Sequence, residues 1–204
     1  EPIAEAKAAA TEAALRAVLP AFDGTETAEL TLDELPVTVH TARSGEAIVG
    51  YAVETISKKG FGGVVKMMVG FDAAGRVLNV NVLEQTETPG LGTKMADAGN
   101  PLFASFEGRN PGEMKLAVKK DGGDVDALTA ATISSRAYVD AMARAYTAYK
   151  QTVGESWDGV SGATSTAADT ASGATDDASG AAADSTAGVS AQTGDNAQKG
   201  GNNE

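Results

Sequence analysis

Gly63-Val64-Val65-Lys66-Met67-Met68-Val69-Gly70-Phe71-Asp72-Ala73-Ala74-Gly75-Arg76-Val77-Leu78-Asn79-Val80-Asn81-Val82-Leu83 is the stretch that decides the fold. Two β-rich runs, Gly63–Phe71 and Arg76–Leu83, flank four residues with turn chemistry. Asp72 can bond its own backbone, and Gly75 tolerates a positive φ. Working backwards, Val37–His40 alternates as a strand does, and Ala47–Ile56 does so in part. Sequential strands joined by short turns predict an antiparallel meander. Helical character brackets it. Residues 2–19 are alanine-rich and stop at Pro20, and a long helix is read near the end. The expectation is an α+β domain: an antiparallel sheet meander with flanking helices, over residues 1–153. Between sheet and last helix, the pattern predicts a short helix near Lys94–Ala98, a helical turn within 100–111, with Phe103 and Phe106 as core, and a strand at Met114–Val118. Lys119–Gly123 then leads into the last helix.

That helix opens from Asp124-Val125-Asp126-Ala127-Leu128-Thr129-Ala130-Ala131-Thr132-Ile133-Ser134-Ser135-Arg136. Thr129 has the residue type of an N-cap, because its hydroxyl can accept from a free first-turn amide. Thr132, Val139, Met142, Tyr146 and Tyr149 recur at helical spacing and mark one face. Thr132 is thereby expected in the first turn, where free amides and the helix dipole favour an anion. Arg136, one turn on, is in place to add a charge-assisted contact to a phosphate.

Asp126-Ala127-Leu128-Thr129-Ala130-Ala131-Thr132 resembles the D-x-x-(S/T)-G-A-T acceptor of covalently flavinylated FMN-binding domains. Ile133-Ser134-Ser135-Arg136-Ala137 is close to the form in the G subunit of the Rnf electron-transport complex; the C subunit of the sodium-pumping NADH:quinone reductase is a more distant likeness. Lys59-Gly60-Phe61-Gly62-Gly63, Val69-Gly70-Phe71-Asp72 with Gly75, and Glu87-Thr88-Pro89-Gly90-Leu91-Gly92-Thr93-Lys94 resemble the same Rnf component in the same order, so the likeness covers roughly residues 10–150. It implies FMN held as a phosphoester on Thr132 and installed from FAD by a flavin transferase. Ala130 stands where the family usually has glycine. A positive φ there would cost alanine about 1–2 kcal/mol, whereas a helical turn would slightly favour it.

Two glycine-rich stretches allow two readings each. Gly60-Phe61-Gly62-Gly63 lacks the dinucleotide fingerprint and its βαβ setting; it is either a tight turn between strands or a place where backbone approaches the flavin. Glu87-Thr88-Pro89-Gly90-Leu91-Gly92 is either an ordinary turn into the next short helix or a rigid polar loop facing the flavin, with Glu87 and Thr88 beside it. The candidate cofactor-binding set is therefore Thr132 as covalent acceptor, with Thr129, Ala130, Ala131, Ile133, Ser134, Arg136, Glu87, Thr88, Gly90, Leu91, Gly92 and Gly62; Lys94 is a weaker candidate. His40, the single histidine, is read as structural or solvated.

Composition bounds the remainder. Of the net charge of −12, residues 154–204 hold eight acids and one lysine, leaving −5 on the front part. An acidic chain argues against a nucleic-acid partner. With no cysteine, disulfides, thiolate catalysis and Fe–S ligation are excluded. Residues 154–204 contain no Leu, Ile, Phe or Met, which predicts a low-complexity disordered tail. Yet the tail repeats the acceptor pattern at Asp158-Gly159-Val160-Ser161-Gly162-Ala163-Thr164, and again ending at Thr175. Thr164 is either an extra acceptor or part of a repeat that matches by composition. No run approaches the ~18 apolar residues of a span; the resemblance implies a single-pass anchor before Glu1 in the inner membrane, with the domain on the extracytoplasmic, periplasmic side. It also implies partner subunits of an ion-translocating complex passing electrons between ferredoxin and NAD. A stand-alone flavinylated carrier, or a non-redox surface module with glycosylated threonines, are the other classes considered.

Overall fold

The turn at 72–75 closes as its residues predict. Asp72 Oδ1 accepts from the amides of Ala74 and Arg76, both at 2.9 Å, and Gly75 sits at φ +80°. A Cβ on Gly75 would also lie 2.8 Å from the Tyr149 ring. The computed structural model describes residues 2–157. Five strands follow one another: β1 (Gly24–Leu32), β2 (Leu35–Ser44), β3 (Ala47–Ser57), β4 (Val65–Phe71) and β5 (Val77–Gln85). They form one antiparallel sheet in sequence order. The helices are α1 (Pro2–Val18), α2 (Pro101–Phe106) and α3 (Thr132–Thr152), with short 3-10 turns at Gly92–Ala96, Pro111–Glu113 and Lys119–Asp121. The α+β class and the meander are thus as the sequence predicts.

The sheet has two unequal faces. On one, Val37, Val39, Val53, Val65, Met67, Val69 and Phe71 meet Tyr138, Met142, Tyr146 and Tyr149 of α3, and all are buried. Burying each such side chain contributes about 1.5–3 kcal/mol. On the other, Ala14, Leu15 and Val18 of α1 pack on Ala42, Ala52 and Met68. Gly70 allows this contact, since a Cβ there would fall 1.9 Å from the Val18 carbonyl oxygen. His40 is buried, its Nδ1 3.0 Å from Thr27 Oγ1; burial lowers its pKa, against the smaller opposing effect of Glu54.

Three expectations need correction. Met114, Leu116 and Val118 are buried, but Met114–Val118 is no strand: the Ala117 amide turns back to donate to the Lys115 carbonyl at 2.8 Å. Beyond an isolated bridge between Val118 and Val125, the segment is held by a tight loop in which the Lys115 amide donates to Asp124 Oδ2 at 2.7 Å. The short helix comes two residues early, as a 3-10 turn at Gly92–Ala96. Thr129 is exposed and lies outside α3, whose N-cap is Ala131, with no side-chain cap at all. The strand β1 was not foreseen, because most of its residues are exposed on a sheet edge. The two-residue turn that joins it to β2 holds Asp33 at φ +48° and Glu34 at φ +63°. Arg144 of α3 fastens that turn, donating to the Leu32 carbonyl at 2.9 Å and approaching Asp33 Oδ2 at 3.0 Å.

Candidate functional site

Where α3 begins, three glycine-rich or small-residue segments converge. The entrance and first turn of α3 supply Ala130, Ala131, Thr132, Ile133 and Ser134. The loop after β5 supplies Thr88, Leu91 and Gly92, and the loop between β3 and β4 supplies Phe61. Together they line a cavity of about 380 Å³, within the range of small-molecule sites.

Each segment has a local reason for its shape. Thr88-Pro89-Gly90-Leu91 is a turn with Leu91 N donating to Thr88 O at 3.1 Å. Proline fixes the second position, and Gly90 takes φ +74° at the third, the residues such a turn requires. Gly92 is needed for a different reason: a Cβ would lie 2.6 Å from both Glu87 Cβ and Ser134 Oγ. Gly62 is pressed against the Thr86 carbonyl, which a Cβ would approach to 1.8 Å. At the helix entrance Ala130 stands at φ +57°, the left-handed region that disfavours any residue with a Cβ. Of the two readings open for Ala130, the positive-φ one is therefore the one observed. Ser135 secures the turn behind it, accepting from Leu128 N at 2.9 Å and donating to Ala131 O at 2.8 Å.

Glu87 ties the segments together. It is 4% exposed, and its carboxylate accepts from Phe61 N at 3.1 Å, Gly62 N at 2.9 Å and Ser134 Oγ. It stands behind the cavity wall rather than in it. Gly90 shapes the loop from outside the lining, as Gly62 does the neighbouring turn. Arg136 is engaged elsewhere: its guanidinium grips Asp121 through two 2.7 Å hydrogen bonds. Those bonds hold the Asp121 carboxyl below, and the Arg136 guanidinium above, their ordinary pKa values. Arg136 thus points to the 3-10 turn at Lys119–Asp121 and lies outside the cavity lining, as do Thr129 and Lys94. Thr164 and Thr175 lie outside the described residues.

Next to the glycine turn sits a charge cluster around the buried Asp140 that sequence reasoning missed. Asp140 accepts from Lys59 Nζ at 2.6 Å, Ser57 Oγ at 2.8 Å and Arg144 Nε at 3.3 Å. Burial alone would raise its carboxyl pKa, but the hydrogen bonds of Lys59 and Ser57 and the charges of Lys59 and Arg144 outweigh this and hold it low. The cluster anchors Lys59, hence one end of the Phe61 turn, to the middle of α3.

The cavity is chemically two-sided. Phe61, Leu91 and Ile133 remain 67%, 38% and 46% exposed, an apolar rim of the kind that marks a binding groove. Phe61 is absent from the set read off the sequence, although an aromatic set among three glycines has no core to join. Deeper in the lining, Thr132 is the first residue of a 21-residue helix. First-turn amides have no partner within a helix, and no side chain caps these. An apolar rim beside an uncapped helix start fits a group that joins a planar ring to a phosphate.

Comparison with known proteins points the same way. The family model described as FMN-binding domain matches residues 60–147, a stretch that contains the whole lining. Over this stretch the chain is similar to FMN-binding domains. The chain is also similar to several proteins named as the G subunit of an ion-translocating oxidoreductase complex. That of Shewanella loihica is 42% identical over 118 residues, 56% of this chain and 55% of the relative. That of Cronobacter sakazakii is 39% identical over 107 residues, 51% of each. That of Photorhabdus laumondii is 37% identical over 126 residues, 60% of each. The chain spans about half the length of the curated relatives it matches. Among the described residues no helix is long and apolar enough to cross a membrane.

Proposed function

We propose that this protein is a flavin-bearing electron carrier that works within a membrane ion-translocating oxidoreductase, with FMN attached to the Thr132 hydroxyl as a phosphoester. The observation that carries the reading is the position of Thr132: it opens an uncapped helix inside a cavity rimmed by exposed Phe61, Leu91 and Ile133. FMN, when bound, supplies the redox chemistry, accepting electrons and passing them on. The protein's residues bind and orient it. Phe61, Leu91 and Ile133 offer apolar surface to the ring, and burying it against them is favourable at about 25 cal/mol per Å². The first-turn amides of α3 and its dipole favour the phosphate, by about 0.3–1 kcal/mol for the dipole at an exposed site. The glycine loops, braced by Glu87, must therefore supply most of the positioning.

The names of the relatives support a place among the subunits of an ion-translocating complex. On the Rnf pattern, the electrons run between ferredoxin and NAD, the domain lies on the extracytoplasmic side of the inner membrane behind a single anchor, and a flavin transferase installs the FMN. The test is co-expression with such a transferase, followed by in-gel fluorescence and peptide mass spectrometry of wild type, Thr132→Ala and Thr164→Ala. Loss of the flavin in Thr132→Ala alone is the expected result. Flavin kept in Thr132→Ala and lost in Thr164→Ala would move the acceptor to Thr164, outside the described residues.

A further inference from the structure

Glu87 makes more hydrogen bonds across segments than a loop residue needs for its own turn. Its carboxylate is 4% exposed, and its three donors come from two other parts of the chain: the amides of Phe61 and Gly62, and the hydroxyl of Ser134. Three of its immediate neighbours, Phe61, Thr88 and Ser134, line the cavity. The surrounding glycines are cut to fit it. A Cβ on Gly92 would reach 2.6 Å from Glu87 Cβ, and one on Gly60 would reach 2.6 Å from Glu87 Oε1. No lysine or arginine pairs with Glu87 among the described residues; the nearby Lys59 is committed to Asp140. A negative charge therefore stands one residue behind the cavity wall, compensated by dipoles and by no cation.

We infer that Glu87 is the positioning residue of the site and also sets the flavin's potential, by holding an unpaired buried negative charge behind it; this rests on the flavin reading above. Two consequences follow from one geometry. The three hydrogen bonds fix the Phe61 rim, the 88–92 loop and the first turn of α3 in one arrangement. The charge itself opposes any electrons placed in the cavity, because burial weakens the screening of like charges. Glu87 makes the reduced flavin less favourable than the apolar rim alone would.

The test follows the charge. Glu87→Gln keeps the shape of the side chain and removes the charge; because its NH2 cannot accept, it also gives up the bond from the Gly62 amide or those from the Phe61 amide and the Ser134 hydroxyl. Flavinylated wild type and Glu87→Gln are titrated at pH 8 with dithionite as reductant and mediators present, following flavin absorbance. The midpoint potential of Glu87→Gln is expected to rise by about 30 mV, a tenfold shift in the oxidised-to-reduced ratio for a two-electron couple. Should Glu87→Gln fail to fold, judged by circular dichroism and melting of the flavin-free protein, Ser134→Ala provides the second reading. It removes one dipole that compensates the carboxylate and is expected to lower the potential. A flavinylated, folded Glu87→Gln with the wild-type potential, or a Ser134→Ala potential that is unchanged or raised, overturns the inference alone. Wild type that takes up no FMN from the transferase overturns the flavin reading and the inference with it.

Discussion

Ala130 carries the clearest strain in the site, and glycine should relieve it. The residue holds φ +57° at the entrance to α3, where a Cβ costs about 1–2 kcal/mol relative to the right-handed region. Ala130→Gly removes that cost. It also gives the unfolded chain more freedom, which takes back about 0.4–1 kcal/mol. Ala130 is exposed, so the lost methyl leaves no cavity behind. The net expectation is a gain of about 0.5–1 kcal/mol, or about 1–4 °C in Tm for a domain near 150 residues. Ala130→Val runs the other way, since a β-branched residue is an outlier at positive φ, and should lose more than about 1 kcal/mol. Urea unfolding followed by circular dichroism, with the m-value checked for constancy, measures both. A loss of stability in Ala130→Gly, or a Val variant as stable as wild type, would refute a left-handed residue at this point.

The remaining predictions concern the elements around it. Gly92→Ala should destabilise by about 1–3 kcal/mol, because the new methyl collides with Glu87 Cβ and Ser134 Oγ at 2.6 Å; a melt within about 0.5 kcal/mol of wild type, the range of ordinary surface changes, would show that the loop yields freely. Asp140→Ala should cost about 1–3 kcal/mol, chiefly by leaving the buried Ser57 hydroxyl without its acceptor, and equal denaturation midpoints would contradict this. The folded Asp140 carboxyl titrates below its ordinary 3.8, so its stabilisation is present above that value and is lost as pH falls through the lower folded value. Asp140→Asn should therefore flatten the acid limb of stability measured from about pH 5 downward, and an unaltered limb would remove Asp140 from the account. Deleting residues 158–204, which bring no Leu, Ile, Phe or Met to bury, should leave the melting free energy within about 0.5 kcal/mol. A drop above about 2 kcal/mol would exceed ordinary surface effects.

What the sequence disclosed, it disclosed through burial. Alternating or continuous apolar runs placed β2 to β5, and the period of Val139, Met142, Tyr146 and Tyr149 placed the buried face of α3. Strand β1 escaped because an exposed edge imposes no alternation on residues such as Glu26, Thr27 and Glu29. The site was legible as a set of loops but not as an arrangement. Thr88, Leu91, Gly92 and residues 130–134 do meet in one cavity. Arg136 bonding across to Asp121 depends on how residues 119–121 turn, which no spacing rule reveals. The missing cap at Ala131 was misassigned to Thr129 because a threonine at the right distance is the commoner solution. The resemblance of Glu87–Gly92 to the family's loop puts Glu87 beside the ligand; in the structure its carboxylate turns inward to three donors, behind the cavity lining.

The carboxylate of Glu87 also bears on the order in which this protein is made. Its donors lie 25 to 47 positions away along the chain, on both sides. Contacts so distant in sequence close late, after the loops between them have been gathered in. A chain still emerging from the ribosome can present Thr132 as a short peptide, but the pocket wall behind it does not exist until α3 has docked on the sheet. Any modifying enzyme that needs the pocket and not only the peptide would work solely on finished molecules, so that loading the domain would double as an inspection of its folding.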